Sequence, residues 1–206
     1  MTSFDPRGVA DHMVDPENTV LTVIDYQPLQ VSTINSMNRS KLVDNAELVI
    51  RLAKLYKIPI ILSTVNVSNG RNADTVPRLR RAIGEDVPSY DRTSINAWED
   101  KEYQAAIKAT GRKKILILAL WTEACLTFPT LDALKEGYEV YPVVDAVGGT
   151  SPIAHETALR RVEQAGAQLT SIAQLACELQ RDWNRSETVP GFSKIMSEFG
   201  AFPNLN

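Results

Sequence analysis

Two residues with side chains suited to nucleophilic chemistry each follow an apolar run in this chain. Asp25 comes directly after the run 20–24, and Cys125 lies shortly after the run 113–120. Open α/β sheets present functional groups at the carboxyl ends of their strands, so both residues stand where catalytic side chains are expected. On spacing alone, Asp25 fits a turn before Pro28 equally well, and a free cysteine such as Cys125 is commonly a small buried apolar residue.

Cys125 stands at the start of a predicted helix, 125–135. At that position the positive end of the helix dipole and the free backbone N–H groups favour a thiolate over a thiol, and they can also bind an oxyanion. The other cysteine, Cys177, lies among apolar neighbours in a predicted helix and is interpreted as a packing residue. Two cysteines are too few for a disulfide framework, and they lack the spacing of zinc ligands.

Histidine is the usual base beside a cysteine or serine nucleophile. The chain has two, His12 in the N-terminal arm and His155 at the start of a helix, and neither follows a predicted strand. Asp25 is therefore the better candidate for the base. No glycine-rich phosphate-binding motif occurs, so nucleotide binding is not predicted, and no cofactor is expected.

Predicted strands and helices alternate along the chain. The predicted strands are 18–24, 58–65, 113–120, 138–144 and 167–172, and the predicted helices are 44–56, 75–83, 100–110, 125–135, 152–165 and 173–183. Short connections of this kind generate parallel pairing. The pattern predicts an α/β fold, a doubly wound and mostly parallel sheet of about six strands with helices on both faces, in a Rossmann-like three-layer sandwich.

The predicted organisation is an N-terminal arm (1–17), one domain (18–184) and a C-terminal tail (185–206). Within the domain, the stretch 67–98 contains several glycines and prolines and is interpreted as a wall or lid. The tail is predicted to be irregular. Its apolar residues can pack on the domain or serve as a contact with a second subunit; they are Phe192, Ile195, Met196 and Phe199.

The composition is that of an ordinary soluble domain, with 44% hydrophobic and 23% charged residues. The net charge of −3 provides no basic surface for a phosphate backbone, so nucleic acid is not expected as a main partner. No apolar run has the roughly 18 residues that a membrane span needs, and the first residues do not read as a signal peptide. The expected location is the cytoplasm, with no membrane partner.

Several short motifs occur in a fixed order over about residues 18–183. They are Val23-Ile24-Asp25-Tyr26-Gln27, Ile95-Asn96-Ala97-Trp98, Thr122-Glu123-Ala124-Cys125 with Phe128-Pro129, Val144-Asp145-Ala146, Gln164-Ala165-Gly166-Ala167-Gln168-Leu169, Cys177-Glu178-Leu179 and Arg181-Asp182-Trp183. In this combination the chain resembles the isochorismatase-like cysteine hydrolases, and within them the YcaC-like branch. The pairing of D-x-Q with T-E-x-C is the most specific part of the resemblance.

The resemblance implies a catalytic set of an aspartate, a cation and a cysteine. Asp25 and Cys125 match the first and last members, and Arg92 stands where lysine is typical of the wider family. An arginine keeps the positive charge but cannot serve as an acid or base, so only the electrostatic role carries over. The family pattern also places a cis peptide bond at Trp121–Thr122 and an oxyanion hole at the backbone N–H groups of Ala124 and Cys125.

Residues near these motifs are the candidates for contacting a substrate. They are Gln27, Asn96, Trp98, Trp121 and Thr122. Nicotinamidases of the superfamily bind a metal through an aspartate and histidines after the second strand. The segment 63–67 here offers no histidine, so no metal site is predicted. YcaC-like relatives are commonly octamers, which implies a homo-oligomer.

The predicted function is that of a cysteine-dependent hydrolase acting on a small amide or related acyl substrate through a thioester. Asp25 would take the proton of Cys125, and Arg92 would stabilise the anionic groups. Two alternatives remain open from the sequence. One is a non-catalytic oligomeric binding or scaffold protein, and the other is a redox sensor in which Cys125 is oxidised.

Overall fold

A parallel sheet of five strands forms the centre of the computed structural model, which describes residues 11–203. The strands are β1 (Thr19–Ile24), β2 (Ile60–Val65), β3 (Ser89–Arg92), β4 (Lys114–Ala119) and β5 (Glu139–Pro142). Their order across the sheet is β3-β2-β1-β4-β5, and all four pairs are parallel. The chain runs outward from β1 to β3 and then returns to the other side of β1, which confirms the doubly wound α/β fold.

The central strands are buried and mostly apolar because helices cover both faces of the sheet. Every residue of β1 and of β4 is buried. The helices are α1 (Pro28–Ser32), α2 (Arg39–Leu55), α3 (Pro77–Ile83), α4 (Lys101–Ala109), α5 (Thr127–Lys135), α6 (Pro152–Gln164), α7 (Ile172–Gln180) and α8 (Val189–Phe199). Helix α2 packs with α3, α7 and α8, while α5 packs with α6, so the helices form two groups. These groups provide the outer layers of the sandwich.

Local sequence signals explain where most helices begin. Asn38 accepts a hydrogen bond from the backbone N–H of Lys41 and caps α2, and Asp100 caps α4 through the N–H of Tyr103. Helix α6 begins with Pro152 after the capping residue Ser151. Helix α2 is longer than predicted because its cap lies six residues before the start of the apolar stripe at Asp44.

The prediction of about six strands was wrong at the end of the domain. The segment 167–172 makes one isolated bridge, between Thr170 and Val143, and then Ser171 caps α7 and the chain turns into that helix. The strand β3, in contrast, lies within the stretch interpreted as a wall or lid. It was missed because an edge strand pairs on one side only and its four residues, Ser-Tyr-Asp-Arg, carry no apolar alternation.

The prediction of an irregular C-terminal tail was also wrong. Residues 189–199 form the helix α8, whose Phe192, Ile195 and Met196 are buried against the domain. Gly191 permits the close approach, because a Cβ there would lie 2.8 Å from Cδ1 of Leu55. The prediction that Cys177 is a packing residue was wrong as well, since it lies on an exposed side of α7.

Parts of the predicted arm and tail, residues 1–10 and 204–206, lie outside the described residues. Between residues 11 and 203, no helix is both long and apolar enough to span a membrane.

The burial of α8 predicts that it contributes to the stability of the domain. Replacing the buried ring in Phe192→Ala should lower the free energy of unfolding by about 3 kcal/mol or more, because the substitution leaves a cavity between α8 and the domain. Urea denaturation measures this change. Arg160→Ala, at an exposed residue of α6, is the control and should change it by less than about 0.5 kcal/mol. A loss below about 1 kcal/mol for Phe192→Ala would show that α8 does not pack as described.

Candidate active site

The sheet topology brings three predicted catalytic residues to one edge. Asp25 follows β1, Arg92 ends β3, and Cys125 lies in the turn after β4. The pairs Ile24 with Ser63, Val65 with Arg92, and Ile24 with Ala119 align the carboxyl ends of these strands. Strands β2 and β3 are added on one side of β1, and β4 and β5 on the other. Ligand sites of open α/β sheets occur at such switch points, here between β1 and β4.

Asp25 leaves β1 in a left-handed backbone conformation, with φ of 60°. Its N–H still donates to the carbonyl of Ser63, at 3.0 Å, so the residue remains attached to β2. Aspartate tolerates this conformation better than most residues, and such positions cluster at functional sites. The conformation supports a functional interpretation of Asp25 beyond that of an ordinary turn residue.

Arg92 and Asp25 form a bidentate ion pair. The Nη1–Oδ1 distance is 2.9 Å and the Nη2–Oδ2 distance is 2.7 Å. Both side chains are buried, with exposed fractions of 1% and 0%. The guanidinium also donates to the Ser63 hydroxyl and to the carbonyls of Thr64 and Ile95. These bonds fix the guanidinium plane against the carboxylate, so Arg92 occupies the place that the family resemblance implied for the cation.

The ion pair also determines the protonation of Arg92. Burial alone would lower the pKa of this guanidinium, but the hydrogen bonds and negative charge of Asp25 outweigh burial, and the pKa is raised. Arg92 therefore stays charged at every pH at which the protein is folded, and it acts as a fixed positive charge.

Cys125 lies in a π-helical turn, Thr122–Leu126, that precedes α5. The N–H of Leu126 donates to the carbonyl of Trp121, and the N–H of Thr127 donates to that of Thr122. The expected α-helical start at Cys125 is thus replaced by a wider turn, and α5 begins two residues later. Turns of this type are frequent at functional sites because they redirect a side chain.

The thiol of Cys125 is 8% exposed and interacts with both members of the ion pair. Burial raises the pKa of this thiol far above its usual value, and the charge and a side-chain hydrogen bond of Asp25 raise it further. Arg92 and the backbone N–H of Trp121 lower the pKa, but they do not compensate. The resting sulfur is therefore protonated at neutral pH, in contrast to the thiolate that a helix start predicts.

Two backbone details differ from the family expectation. The cis peptide bond joins Leu120 to Trp121, so the predicted position at Trp121–Thr122 was one residue too late. Leu120 still belongs to the sheet, because its N–H donates to Ile24, and the cis bond comes directly after it. The N–H of Ala124, predicted for the oxyanion hole with that of Cys125, donates to the carbonyl of Trp121 at 3.1 Å.

Three of the predicted substrate contacts are engaged within the protein. The amide of Gln27 bonds the backbone of Val65 and Ala73. Asn96 donates to Asp132 and caps the turn Ala97–Glu99. Trp98 donates to Glu136 and packs edge-on against Tyr103 and Tyr138. These hydrogen bonds hold the loops around the site.

The last two predicted contacts, Trp121 and Thr122, lie beside and in the π-helical turn Thr122–Leu126, called the cysteine turn below. Trp121 is partly exposed and donates from Nε1 to the Thr33 hydroxyl at 2.8 Å. Thr122 is fully buried, and its hydroxyl lies 2.8 Å from Nδ1 of His155. His155 was missed as a site residue because it follows no strand, and its being one of two histidines was the only available signal.

Within residues 11–203, no group of three or more His, Cys, Asp or Glu side chains is placed to hold a metal ion.

A model of the Isochorismatase domain matches residues 19–174. This chain belongs to the isochorismatase family. Probable hydrolase YcaC of Escherichia coli is 33% identical over 196 residues, covering 90% of this chain and 93% of that protein. The match confirms the expected family, its YcaC-like branch and the assignment as a hydrolase.

Solved structures of this branch share the fold. YcaC from Pseudomonas aeruginosa, with hexane-2,5-diol and covalent acrylamide, has a TM-score of 0.82 and 30% identity, covering 94% of this chain and 100% of that one. The E. coli YcaC structure, described as an octameric hydrolase of unknown specificity, has a TM-score of 0.81 and 32% identity, covering 94% and 98%.

The buried ion pair predicts a strong coupling between its partners. Arg92→Met should lower the free energy of unfolding at pH 7 by about 3–5 kcal/mol, because it leaves the Asp25 charge buried without a partner. The double variant with Asp25→Asn removes that charge and should be more stable than Arg92→Met alone. Arg78→Met, at an exposed arginine paired with Asp44 and Glu47, is the control and should cost less than about 1 kcal/mol. Additive effects at Arg92 and Asp25, measured by urea denaturation, would contradict the pairing.

Proposed function

We propose that this chain hydrolyses a small amide or related acyl compound through a thioester on Cys125. The observation that carries the proposal is that the sheet brings Asp25, which is held by Arg92, and the turn that carries Cys125 to the ends of the same paired strands. There the charge and a hydrogen bond of Asp25 act on the thiol. A protonated sulfur beside a carboxylate acceptor is the arrangement that general-base activation of a nucleophile requires.

The reaction follows from these positions. Asp25 accepts the thiol proton while the sulfur attacks the carbonyl carbon, and backbone N–H groups at Cys125 and Ala124 stabilise the oxyanion. The C–N bond breaks, and Asp25 returns the proton to the departing amine. Asp25 then takes a proton from water as the water attacks the thioester. As the C–S bond breaks, Asp25 returns this proton to the sulfur, so the acid is released and the thiol of Cys125 is restored. Because the N–H of Ala124 already bonds Trp121, it has to be shared in the oxyanion step.

Arg92 has a purely electrostatic role in this scheme. Its bidentate contact keeps the carboxylate oriented, and its charge favours the thiolate form of Cys125. The covalent acrylamide in the structure of the P. aeruginosa relative supports a nucleophile in this branch of the family.

The protonation of Cys125 bears on the redox-sensor alternative. Oxidation by peroxide proceeds through the thiolate and favours accessible cysteines of low pKa. Burial and the neighbouring Asp25 raise the pKa of the Cys125 thiol, which disfavours that role. No cofactor takes part in the proposed reaction, and action on a small molecule in the cytoplasm remains a prediction.

Ammonia release from a panel of small primary amides tests the proposal. Cys125→Ser should lower kcat/KM for any amide that is hydrolysed at least about 1,000-fold, and Asp25→Asn about 100-fold or more. Cys177→Ser, at the exposed cysteine, is the matched control and should leave the rate unchanged. Mass spectrometry of the quenched reaction should detect an acyl group on Cys125. Activity that survives Cys125→Ser, or no release from any amide, would contradict the proposal, and the second outcome would favour the scaffold alternative.

We also propose that the chain assembles into a homo-oligomer, as the octameric E. coli relative does. Large apolar side chains exposed within residues 11–203 support a contact surface; they are Met13, Leu29, Ile95, Ile153 and Trp183. Sedimentation velocity at micromolar concentration should give a mass several times the 22.8 kDa of the single chain. A species of single-chain mass at all concentrations would contradict this proposal.

A further inference from the structure

His155 is a half-buried residue of α6 that the proposed reaction does not use. Its Nδ1 lies 2.8 Å from the hydroxyl of Thr122, at the start of the turn that carries Cys125. Thr122 precedes the nucleophile by three positions, so a contact that fixes Thr122 acts close to the reacting sulfur. His155 itself belongs to a different segment, which follows β5.

Thr122 attaches the start of the turn to the rest of the fold. Its N–H donates to the carbonyl of Gly148 at 2.9 Å, and its carbonyl accepts from the hydroxyl and the N–H of Thr127. The hydroxyl is the remaining polar group, and it meets His155. A buried hydroxyl without this partner would carry a desolvation cost, so the contact favours one orientation of the turn.

The backbone beside His155 is built for a close approach. A Cβ on Gly149 would lie 3.1 Å from Cβ and 3.2 Å from Cα of His155, and 2.5 Å from Oε2 of Glu123. Glu123 accepts from the N–H and hydroxyl of Thr150 through Oε1. Gly149 therefore leaves the space in which α6 reaches the cysteine turn.

The charge state of His155 is compatible with an accepting Nδ1. Burial lowers the pKa of this imidazole below its usual value, while the charges of Glu123 and Glu156 oppose the change. The ring is therefore neutral at pH 7, and the Thr122 hydroxyl can donate to Nδ1 while the hydrogen resides on Nε2.

We infer that His155 is a positioning residue for Cys125, which holds the Thr122–Leu126 turn so that the sulfur stays against Asp25. The inference rests on the proposed nucleophile and base. Without the contact, the turn loses the hydrogen bond that joins it to α6, and the thiol is held less often in the geometry for proton transfer. A displacement of about 1 Å in such a geometry can cost up to about 100-fold in rate.

Alkylation of Cys125 by acrylamide tests the inference without knowledge of the substrate. The sulfur adds to the terminal carbon of the double bond while Asp25 accepts the thiol proton. The adjacent carbon then takes a proton from solvent, and Asp25 releases its own proton to solvent. The measurement uses a Cys177→Ser background, in which Cys125 is the only thiol. His155→Ala and Thr122→Val should each lower the alkylation rate at pH 7.5 about 10-fold, and the double variant should be no slower than either single variant.

Rescue by a conservative variant separates positioning from general loss of structure. The side-chain amide of His155→Asn can still accept from Thr122, and this variant should recover the parent rate to within about 3-fold. The other histidine gives the control, and His12→Ala should have no effect. Unfolding in urea is measured for each variant to establish that it is folded.

Several outcomes would overturn the inference. They are unchanged or faster alkylation in His155→Ala, multiplicative losses in the double variant, and no recovery in His155→Asn. If no amide is hydrolysed but the alkylation results hold, the proposed function fails and the positioning role stands. If amides are hydrolysed through Cys125 but the His155 variants behave as the parent does, the positioning role fails alone.

Discussion

The buried ion pair between Arg92 and Asp25 is the interaction on which the rest of the site depends. Asp25 follows β1 and Arg92 ends β3, and these strands are not neighbours because β2 lies between them. The guanidinium therefore crosses the end of β2, where it also bonds Ser63 and Thr64. Removing two charges from water costs several kcal/mol per ion, and such a pair is retained only where further hydrogen bonds compensate. Here the compensation comes from the backbone and a hydroxyl of the strand ends themselves.

This pair changes the chemistry expected of Cys125. A cysteine at a helix start is expected to ionise early, but this thiol is buried beside a carboxylate whose charge is already matched by Arg92. The sulfur is therefore held as a thiol at neutral pH. A protonated, buried thiol reacts slowly with oxidants and metals, and in the proposed reaction its attack would be coupled to proton transfer. The electrostatics thus favour a hydrolase over a sensor for a physical reason that the position of Cys125 in the sequence does not reveal.

The sequence predicted that Asp25 and Cys125 lie at one site because strand ends carry a recognisable signal. Asp25 and Cys125 follow the two most apolar runs, and parallel pairing must bring those ends together. Arg92 was reached through the family resemblance alone, because β3 is short, polar and at the edge of the sheet. Composition and spacing specify residue types and not the direction of their side chains. For that reason Gln27, Asn96 and Trp98 were expected to face a substrate, while each in fact bonds a neighbouring loop or helix.

The last hydrogen bonds between β1 and β4 set the starting points from which the chain reaches Asp25 and Cys125. Ile24 pairs with Ala119, and the N–H of Leu120 donates to Ile24 at 3.1 Å, one residue before Asp25. Asp25 is the residue directly after Ile24, so the segment on the side of β1 is short. The segment after β4 is longer, because it runs from Leu120 through Trp121 and into the π-helical turn before it reaches Cys125. The short side is rigid because it is part of the sheet and the ion pair. The longer side has to be fixed by contacts from outside the sheet, and Gly148 and His155 provide them at Thr122. The position of Cys125 relative to Asp25 therefore depends most on the π-helical turn, which the sequence pattern did not predict.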